Sequence, residues 1–495
     1  MATARYDAIV VGSGQSGTPL AMAYAAAGKK VALVERNAIG GTCVNVGCTP
    51  TKTLITSGRV AHLAGRAADY GINTTLPVDI DMVKVRQRGR DITQSFRAGS
   101  EARLERAGID VMCGTATFVE PKVLQIKNSS SGDAQLLQGD VIFLNTGERP
   151  ARPGLPELDS VPAERVLDST SILQLGEVPM HLVVIGGGYV GIEFAQLFRR
   201  LGAEVTVVQH GTQILPREDA DIAAALTKIL EKEGITVLLS ASTDSVTMDD
   251  EKGNLPIAVH INMAGPNHTQ VTHKSIRASH MLLAAGRKPN TEELGLDVAG
   301  VQTGPHGHIV VDDQLASTAE GVYALGDVHG GPAFTHMSYD DYRILTANLL
   351  ADSEKSSNDN KAQLLTTATS KSRNLVPYVV YTDPQLGHVG LHERDVTAAS
   401  LGVSDYSHVK SVSMPMTYVA RALETGETDG LMKATVNTKS GAILGFTCLG
   451  IEGGEVMAIV QTAMMGSLHW RDLADAVWAH PSLAESLNNL FGQLK

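Results

Sequence analysis

The sequence has little cysteine, no long apolar run and no excess of positive charge. Only four of its 495 residues are cysteines, which does not suggest a secreted, disulfide-bonded scaffold. No stretch reaches the roughly 18 uninterrupted apolar residues of a membrane span, and no basic targeting segment precedes the first apolar strand. The net charge of −12 argues against nucleic acids and anionic membranes as partners. We therefore expect a cytoplasmic enzyme with neither kind of partner.

Half of the cysteines stand in one glycine-rich run. Cys43 and Cys48 lie within residues 40–52, whose sequence is GGTCVNVGCTPTK. A disulfide closing so short a loop would remove little entropy from the unfolded chain, so it would be a weak structural staple. Exposed or strained small-ring disulfides are the ones that open and close. The spacing predicts a redox couple, with a structural or incidental pair as the alternative, whereas Cys113 and Cys448 are expected to be ordinary buried thiols.

A first nucleotide-binding turn is predicted at Gly12, Gly14 and Gly17. These glycines follow an apolar strand and precede a helix of small residues, and Glu35 closes the next strand. Such glycines permit a tight turn and close approach of a pyrophosphate to the helix N-terminus, while the acid can bind ribose hydroxyls. This arrangement suits a tightly held FAD.

A second turn of the same kind is formed by Gly186, Gly188 and Gly191. The strand that follows it ends at Gln209 and His210 instead of at an acid. An acid there would hold the adenosine 2′-hydroxyl and repel a 2′-phosphate. We therefore predict a diffusible nicotinamide cofactor at this turn and favour NADPH, with NADH as the alternative.

Three further turns are candidates for FAD contact. Gly326 and Asp327 follow a predicted strand, and this aspartate suits the ribityl chain of a flavin, although an ordinary strand-turn is the alternative. Two other turns mark where the chain leaves and re-enters the FAD region, and their candidate residues are Thr146, Gly147, Gly286 and Arg287.

Near the C-terminus, His480 and Glu485 form a candidate proton-handling pair. Thiolate chemistry at neutral pH needs a base, and histidine titrates in that range. A carboxylate five residues further on can orient the ring and stabilise its charged form. The alternative is a capping histidine beside an exposed glutamate. The other histidines are given no role, and no residue is assigned to a resident metal ion.

These motifs, in this order, resemble the flavin-dependent pyridine nucleotide–disulfide oxidoreductases, the family of glutathione reductase, dihydrolipoamide dehydrogenase and mercuric reductase. The resemblance covers almost all of the chain. It implies FAD and NADPH (or NADH) as cofactors and a homodimer in which His480 reaches the disulfide of the other subunit. It also implies an α/β fold with two Rossmann-like nucleotide-binding domains, for FAD and NAD(P), plus a C-terminal α+β dimerisation domain.

The resemblance implies roles for individual residues. Cys43 would attack the substrate, and Cys48 would form a charge-transfer contact with the flavin. Lys52 would lie beside the flavin and pair with Glu193, a simple surface salt bridge being the alternative. Tyr189 would gate the nicotinamide pocket, unless it is a plain core aromatic. In the cysteine run, further FAD contacts are expected from Gly41 and Thr42.

The branch of the family is indicated by two segments. The tail at residues 489–495 lacks the C-terminal cysteine pair of mercuric reductases. Residues 334–344 and 482–491 are most similar to the bacterial reactive-chlorine-resistance flavoproteins, a mercuric-reductase-like branch associated with copper(II) reduction. The acceptor stays open among glutathione, lipoamide, another small disulfide, copper(II) and mercury(II).

The predicted function is an FAD-dependent NAD(P)H oxidoreductase that passes electrons through a Cys43–Cys48 redox disulfide to a disulfide or metal-ion acceptor. One alternative is a flavin NAD(P)H oxidase or quinone reductase in which the cysteines act as a sensor. A non-catalytic flavin-binding protein is a further alternative. The predicted organisation is an FAD-binding domain in two parts, an inserted NAD(P)H-binding domain, a polar linker and a dimerisation domain, at residues 1–150 and 286–350, 151–285, 351–372 and 373–495 respectively.

Overall fold

The computed structural model describes residues 3–128, 131–248, 253–265, 271–350, 369–373, 375–397, 400, 402 and 407–495. The strands are β1 (Thr3–Val11), β2 (Val31–Glu35), β3 (Asp110–Cys113), β4 (Thr115–Glu120), β5 (Val123–Lys127), β6 (Ala134–Leu144), β7 (Glu148–Pro150), β8 (Val166–Leu167), β9 (His181–Ile185), β10 (Glu204–Val208), β11 (Ile235–Leu238), β12 (Ala241–Met248), β13 (Ile257–Ala264), β14 (Val271–Ala278), β15 (His280–Leu283), β16 (Arg287–Pro289), β17 (Val322–Ala324), β18 (Tyr378–Val380), β19 (Gln385–Gly390), β20 (Val409–Pro415), β21 (Leu431–Asn437) and β22 (Ile443–Gly450).

The α-helices are α1 (Gly17–Ala26), α2 (Gly41–Asn45), α3 (Cys48–Gly65), α4 (Met82–Arg106), α5 (Tyr189–Arg200), α6 (Ala220–Lys232), α7 (Leu296–Ala299), α8 (Thr335–Leu349), α9 (Ala420–Glu424), α10 (Gly453–Met465), α11 (Trp470–Asp475) and α12 (Ser486–Gly492). The chain divides into two compact units. The first comprises Met1–Leu54, Lys84–Ala151 and Gly286–Arg373, and the second comprises Ile55–Val83, Arg152–Ala285 and Asn374–Lys495.

The first unit is built on a seven-stranded sheet with the order β3-β2-β1-β6-β5-β4, in which β17 also pairs with β6. Strand β1 pairs in parallel with β2 and β6 and is therefore covered on both faces. Because side chains alternate along a strand, Ala8 and Val10 join one apolar core, whereas Ile9 and Val11 join the other. This explains the uninterrupted apolar run that precedes the first glycine turn.

Three sheets lie in the part of the second unit that the structure describes. A parallel sheet has the order β11-β10-β9-β15-β8, and antiparallel sheets have the orders β12-β13-β14 and β18-β19-β22-β21-β20. Helix α10 packs on the last sheet at very short range, because a Cβ added to Gly387 would lie 2.6 Å from the carbonyl oxygen of Gly453. Glycine at this position therefore lets the backbones of helix and strand approach each other.

The predicted fold class is confirmed, and most predicted elements are present with small shifts at their ends. For example, the strand that Glu35 is predicted to close is Val31–Glu35. One expectation was wrong: Cys113 is exposed, because β3 is the edge strand of its sheet, whereas Cys448 is buried as expected. Residues 351–368 of the predicted linker lie outside the described residues. Within the described chain, no helix combines the length and apolar character needed to cross a bilayer.

Candidate active site

The first glycine turn connects β1 to α1. Gly12 has φ +103°, and a Cβ added there would lie 2.2 Å from the carbonyl oxygen of Asn145. A Cβ on Gly17 would lie equally close, 2.2 Å, to the carbonyl oxygen of Gly12. Only glycine fits both positions. The carboxylate of Glu35 accepts hydrogen bonds from the Ser13 backbone N–H at 3.0 Å and from its hydroxyl at 2.6 Å, which fixes the acid at the turn.

The cysteine run lies against this turn. A Cβ on Gly41 would come within 2.7 Å of the Gly14 Cα, so the two glycine segments are in direct contact. The side-chain amide of Asn45 donates to the Gly41 carbonyl oxygen at 3.0 Å, and Arg97 from α4 holds the same side chain at 2.7 Å. Gly47 also leaves little room for a side chain, because a Cβ added to it would lie 2.9 Å from the Thr42 carbonyl oxygen. The glycines of the run therefore shape the loop that carries the cysteines.

The two thiols differ in their protonation. The thiol of Cys43 donates a hydrogen bond to Cys48, which lowers the pKa of Cys48 to about 6, and Thr335 and Lys52 lower it further against the opposing effect of burial. The hydrogen bond to Cys48 and burial raise the pKa of Cys43. The Cys48 sulfur lies 3.3 Å from the Thr335 hydroxyl, and Cys48 is also the first residue of α3, a position that favours a thiolate. Cys48 is thus the sulfur that the structure favours as a thiolate, and Cys43 the one that it favours as a thiol.

The turn at Gly326 lies in the same unit. Gly326 has φ +73°, and its N–H donates to the Asp341 carboxylate at 2.7 Å. His329 contacts the same carboxylate oxygen at 3.0 Å, and Arg373 contacts the other oxygen. Burial raises the pKa of Asp327, which immediately follows this glycine. The backbone that presents Asp327 is therefore held by a network of charged groups.

The two remaining turns of the first unit are joined by the antiparallel pair β7 and β16. The hydroxyl of Thr146 donates to the Asn290 carbonyl oxygen at 2.9 Å, and the Asn290 N–H donates to the Gly147 carbonyl oxygen at 3.0 Å. Gly286 has φ +125°, and Arg287 forms an ion pair with Glu148 at 3.2 Å. The two segments predicted to leave and re-enter the FAD region therefore meet side by side.

The second glycine turn connects β9 to α5 and repeats the geometry of the first. Gly186 has φ +112°, with its Cβ position 2.5 Å from the Ala284 carbonyl oxygen. Around Gly188, in contrast, no described atom lies within 4 Å of the Cβ position. The side chain of Gln209 accepts a hydrogen bond from the Gly187 N–H at 2.9 Å, and His210 is exposed. The amide of Gln209 thus stands where the first turn has a carboxylate.

For three of the predicted site residues, the structure gives the position but does not show the predicted interaction. Glu193 is only 3% exposed, and its carboxylate accepts a hydrogen bond from the Tyr381 N–H at 2.8 Å. Tyr189, the first residue of α5, is 40% exposed and therefore not a core aromatic. Lys52 belongs to the first unit and Glu193 to the second, and their pairing stays a prediction.

The C-terminal pair is present in the second unit. The Nδ1 atom of His480 lies 2.9 Å from a carboxylate oxygen of Glu485, and the histidine side chain is 72% exposed. When Nδ1 carries a proton and bonds the carboxylate, Nε2 has a free lone pair that can take up a proton. The pair can therefore act as an oriented, solvent-exposed base.

Sequence reasoning missed three contacts that the fold creates. They are the bond between Ser13 and Glu35, the contact between Thr335 and Cys48, and the bond from Gly326 to Asp341. Thr335 and Asp341 both lie on α8, in a segment that the sequence marked as unusual, but no spacing rule links them to residues so far away in the chain. Tertiary packing alone brings these groups together.

Comparison with known proteins is consistent with this geometry. Residues 6–341 match the family described as "Pyridine nucleotide-disulphide oxidoreductase", and residues 376–491 match the dimerisation domain of the same family. The chain belongs to the pyridine nucleotide–disulfide oxidoreductases. The predicted family, the enzyme class and the cofactors FAD and NAD(P)H are thereby confirmed. The dimerisation domain indicates a homodimer.

Individual relatives show which members of the family this chain is similar to. The chain is 34% identical over 494 residues to the probable pyridine nucleotide-disulfide oxidoreductase RclA of Escherichia coli K12, covering 99% of this chain and 100% of that protein. Mercuric reductase of Bacillus cereus is 31% identical, with 97% of this chain and 70% of that protein covered. A solved Cu(II) complex of the HOCl-induced flavoprotein disulfide reductase RclA from E. coli superimposes with a TM-score of 0.84 at 32% identity, with both chains fully covered (100% each).

Proposed function

We propose that this oxidoreductase uses NADPH and FAD to pass electrons through Cys43 and Cys48 to a metal ion or a small disulfide in the cytoplasm. The observation that carries the proposal is the unequal environment of the two thiols. The hydrogen bond from Cys43, with Thr335 and Lys52, lowers the pKa of Cys48, whereas the hydrogen bond to Cys48 and burial raise the pKa of Cys43. A dithiol arranged in this way has one sulfur fixed as a charged donor and one sulfur that needs a base before it can attack an acceptor.

The residues of the first unit fit FAD. The turn has no room for a side chain at Gly12 or Gly17, which suits a pyrophosphate. The fixed carboxylate of Glu35 suits a ribose. Around it, we assign FAD contacts to Gly14, Gly41, Thr42, Lys52, Thr146, Gly147, Gly286, Arg287, Gly326 and Asp327. For NADPH we assign Gly186, Gly188, Gly191, Gln209 and His210, with Tyr189 at the pocket. The domain bounds that go with this assignment are 1–150 and 286–350 for FAD, 151–285 for NADPH and 373–495 for dimerisation.

A bound FAD would supply the transfer of an electron pair from the hydride of NADPH to the cysteines. The protein's own groups then handle sulfur and protons. In the homodimer that we propose, His480 of one subunit takes the proton of Cys43 in the other, and Glu485 orients the ring and stabilises its charged form. Oxidation of this thiol–thiolate pair to the disulfide releases two electrons and one proton, that of Cys43. The electrons either reduce two Cu²⁺ ions to Cu⁺ or open one disulfide to two thiols, which take up the Cys43 proton and one further proton from solvent.

Copper(II) is the first acceptor to test. The E. coli relative with 32% identity was solved as a Cu(II) complex, and thiolates are ligands that favour the Cu⁺ product. The likeness to mercuric reductase supports a soft metal ion as well. Small disulfides remain in the panel because the same dithiol can reduce them by exchange.

Substitution of Cys43 by serine tests the proposal. We expect NADPH to bleach the flavin of Cys43→Ser at a normal rate in stopped-flow absorbance, while Cu²⁺ or disulfide turnover falls at least ~100-fold, about 2.7 kcal/mol of transition-state stabilisation. Cys113→Ser is the matched control, since Cys113 is an exposed free thiol outside the site. Unaltered acceptor turnover in Cys43→Ser would contradict the cysteine route.

Thiol counting separates the proposal from a flavin oxidase or quinone reductase with sensor cysteines. In the Cys113→Ser background, NADPH should generate two new titratable thiols per chain before an acceptor is added, and an acceptor should consume them at the rate of turnover. An oxidase would turn over oxygen or a quinone while the thiol count stays constant.

A further inference from the structure

A cluster of potential metal ligands lies in the second unit, in residues that the redox proposal does not use. Glu218 precedes α6, His388 lies in β19, and His392 follows that strand. One ligand atom from each of the three lies within 4.8 Å of the others. Glu218 is 3% exposed and His388 is 1% exposed, and His392 is partly buried. Burial of a carboxylate with two imidazoles calls for a compensating partner.

Tyr378 fixes the protons in this cluster. Its hydroxyl donates to Glu218 Oε1 at 2.5 Å, so its oxygen must accept the N–H of His392 Nε2, which lies 3.0 Å away. The other ring nitrogen, His392 Nδ1, then carries a lone pair. In the described part of the chain, neither that nitrogen nor Glu218 Oε2 has a hydrogen-bond partner. Two buried acceptor atoms of the cluster therefore lack a donor among the described residues.

His388 is held in the orientation of a metal ligand. A carbonyl oxygen can only accept, so the contact of 3.1 Å between His388 Nε2 and the Gly390 carbonyl oxygen places a proton on Nε2. The lone pair then lies on Nδ1, which the Thr447 hydroxyl contacts at 2.8 Å and can release by rotation. A distal N–H bonded to a backbone carbonyl is a common support for a histidine that binds a metal through its other nitrogen.

The nearby charges leave Glu218 without an ion pair. Lys433 neutralises the neighbouring acids, with its ammonium 3.2 Å from Asp219 and 3.0 Å from Asp221. Arg394 instead donates to the backbone carbonyl oxygen of Glu218 at 3.0 Å. Among the residues that the structure describes, no cation pairs with the Glu218 carboxylate itself. A bound cation would supply the missing charge.

We propose that Glu218, His388 and His392 bind one divalent transition-metal ion of the zinc class, which links the loop before α6 to β19. Two imidazoles and a carboxylate are a ligand set of zinc enzymes. Bonds of about 2.0–2.1 Å between zinc and its ligands place the ligand atoms of a tetrahedral site about 3.3 Å apart. The ligand atoms of this cluster lie within 4.8 Å of one another, so each pair has to approach by at most about 1.5 Å. The two imidazole rings are stacked with centroids 3.8 Å apart, and one must turn so that both face the ion. The site is independent of the redox proposal.

The test uses the FAD-loaded protein with its cysteines oxidised, so that thiolates do not compete for metal. After chelator treatment, Zn²⁺ is titrated against a chromophoric chelator, and Co²⁺ is added separately to record its visible absorption beyond the flavin band. We expect one ion per chain, a Co²⁺ spectrum without a thiolate charge-transfer band, and a higher melting temperature with Zn²⁺. Glu218→Gln and His392→Gln should each weaken Zn²⁺ binding at least ~100-fold, and Tyr378→Phe about 10- to 100-fold.

His273→Gln is the matched control, because His273 is also bonded to a side-chain oxygen, that of Asn262, but lies outside the cluster. It should leave Zn²⁺ affinity unchanged. Flavin content verifies that each variant folds, and if Glu218→Gln does not fold, His392→Gln alone decides the test. Equal Zn²⁺ affinity in the unaltered protein and in His392→Gln would overturn the proposal. The proposal would be overturned as well if, at saturating Zn²⁺, only an ordered water and no metal ion lay between the two acceptor atoms.

Discussion

Each of the two glycine turns has three glycines at the same spacing, but the surroundings of the middle glycine differ. In both, the first glycine has a positive φ, and a Cβ added to it would meet a backbone carbonyl oxygen, at 2.2 Å for Gly12 and 2.5 Å for Gly186. At Gly14, a Cβ would lie 2.9 Å from the Asn145 side chain, whereas the Cβ position of Gly188 has no described atom within 4 Å. The first turn is therefore packed against its own unit at the middle glycine, whereas the second turn has free space there.

This difference would suit the two cofactors that we assign to the turns. The cysteine run packs on Gly14, so the turn assigned to FAD is in direct contact with the segment that carries the thiols. Such a turn suits a cofactor that stays bound while electrons pass through it. The open turn at Gly188 suits a nucleotide that has to bind and leave in every catalytic cycle. Identical backbone motifs can therefore serve a resident and an exchanging ligand.

The largest effect is expected from alanine at the first glycine of each turn. A left-handed backbone costs a non-glycine residue about 1–2 kcal/mol, and here the new Cβ also strikes a carbonyl oxygen. Gly12→Ala should purify with less than ~10% of the normal flavin. Gly186→Ala should keep its flavin but lose most of its NADPH-dependent bleaching. Flavin per chain and stopped-flow absorbance measure the two outcomes.

The control for this prediction is Gly28→Ala. Gly28 has φ +76° but no described atom within 4 Å of its Cβ position. It should lose about 1 kcal/mol of stability and retain its flavin. Equal flavin loss in Gly12→Ala and Gly28→Ala would show that general strain, not the turn, is responsible.

The next effect concerns the middle glycines. Gly14→Ala should destabilise the flavin-free protein by about 1–3 kcal/mol, because its Cβ meets the Asn145 side chain in a packed region. Gly188→Ala should change the unfolding free energy by no more than about 0.5 kcal/mol and yet raise the KM for NADPH about tenfold or more. Urea denaturation and steady-state kinetics give both quantities. Destabilisation by Gly188→Ala equal to that by Gly14→Ala would contradict the open turn.

A moderate effect is expected when the second turn is given the acid of the first. Gln209→Glu places a carboxylate where a 2′-phosphate is expected, and we predict that kcat/KM for NADPH falls about tenfold, or 1.4 kcal/mol, with NADH affected much less. The ratio of kcat/KM for the two nucleotides is the measurement. Gln213→Glu, four residues further on, should leave the ratio unchanged, and a parallel change in both variants would argue against a specific role for Gln209.

The smallest effect concerns the helix that begins at Cys48, in the cysteine run that packs on the first turn. Thr335→Val removes a hydroxyl that stabilises the Cys48 thiolate. Because the thiolate forms as the pH rises through about 6, alkylation of the reduced protein should rise over the same range. In Thr335→Val this rise should shift to higher pH, and Thr335→Ser should restore it. Identical pH profiles of alkylation in all three proteins would exclude the contact.

Much of the fold was predictable because its signals are local. The apolar run before Gly12 and the β10 strand at Glu204–Val208 were recognised from hydrophobic pattern, and glycine spacing located both turns. The exposure of Cys113 was missed because an edge strand has the same apolar pattern as an interior one, and strand order is not a local property. The metal-ligand cluster was missed because Glu218 and His388 come from segments far apart in the chain.

The sequence by itself determined the two nucleotide turns, the cysteine pair and the histidine–glutamate pair, since each is defined by residues within a few positions of one another. Only the tertiary structure decided which thiol is the thiolate, which glycine turn is closed, and that two histidines meet a buried glutamate. The physical reason is that pKa, burial and ligand geometry depend on distances between groups from separate segments, and packing of the whole chain sets those distances.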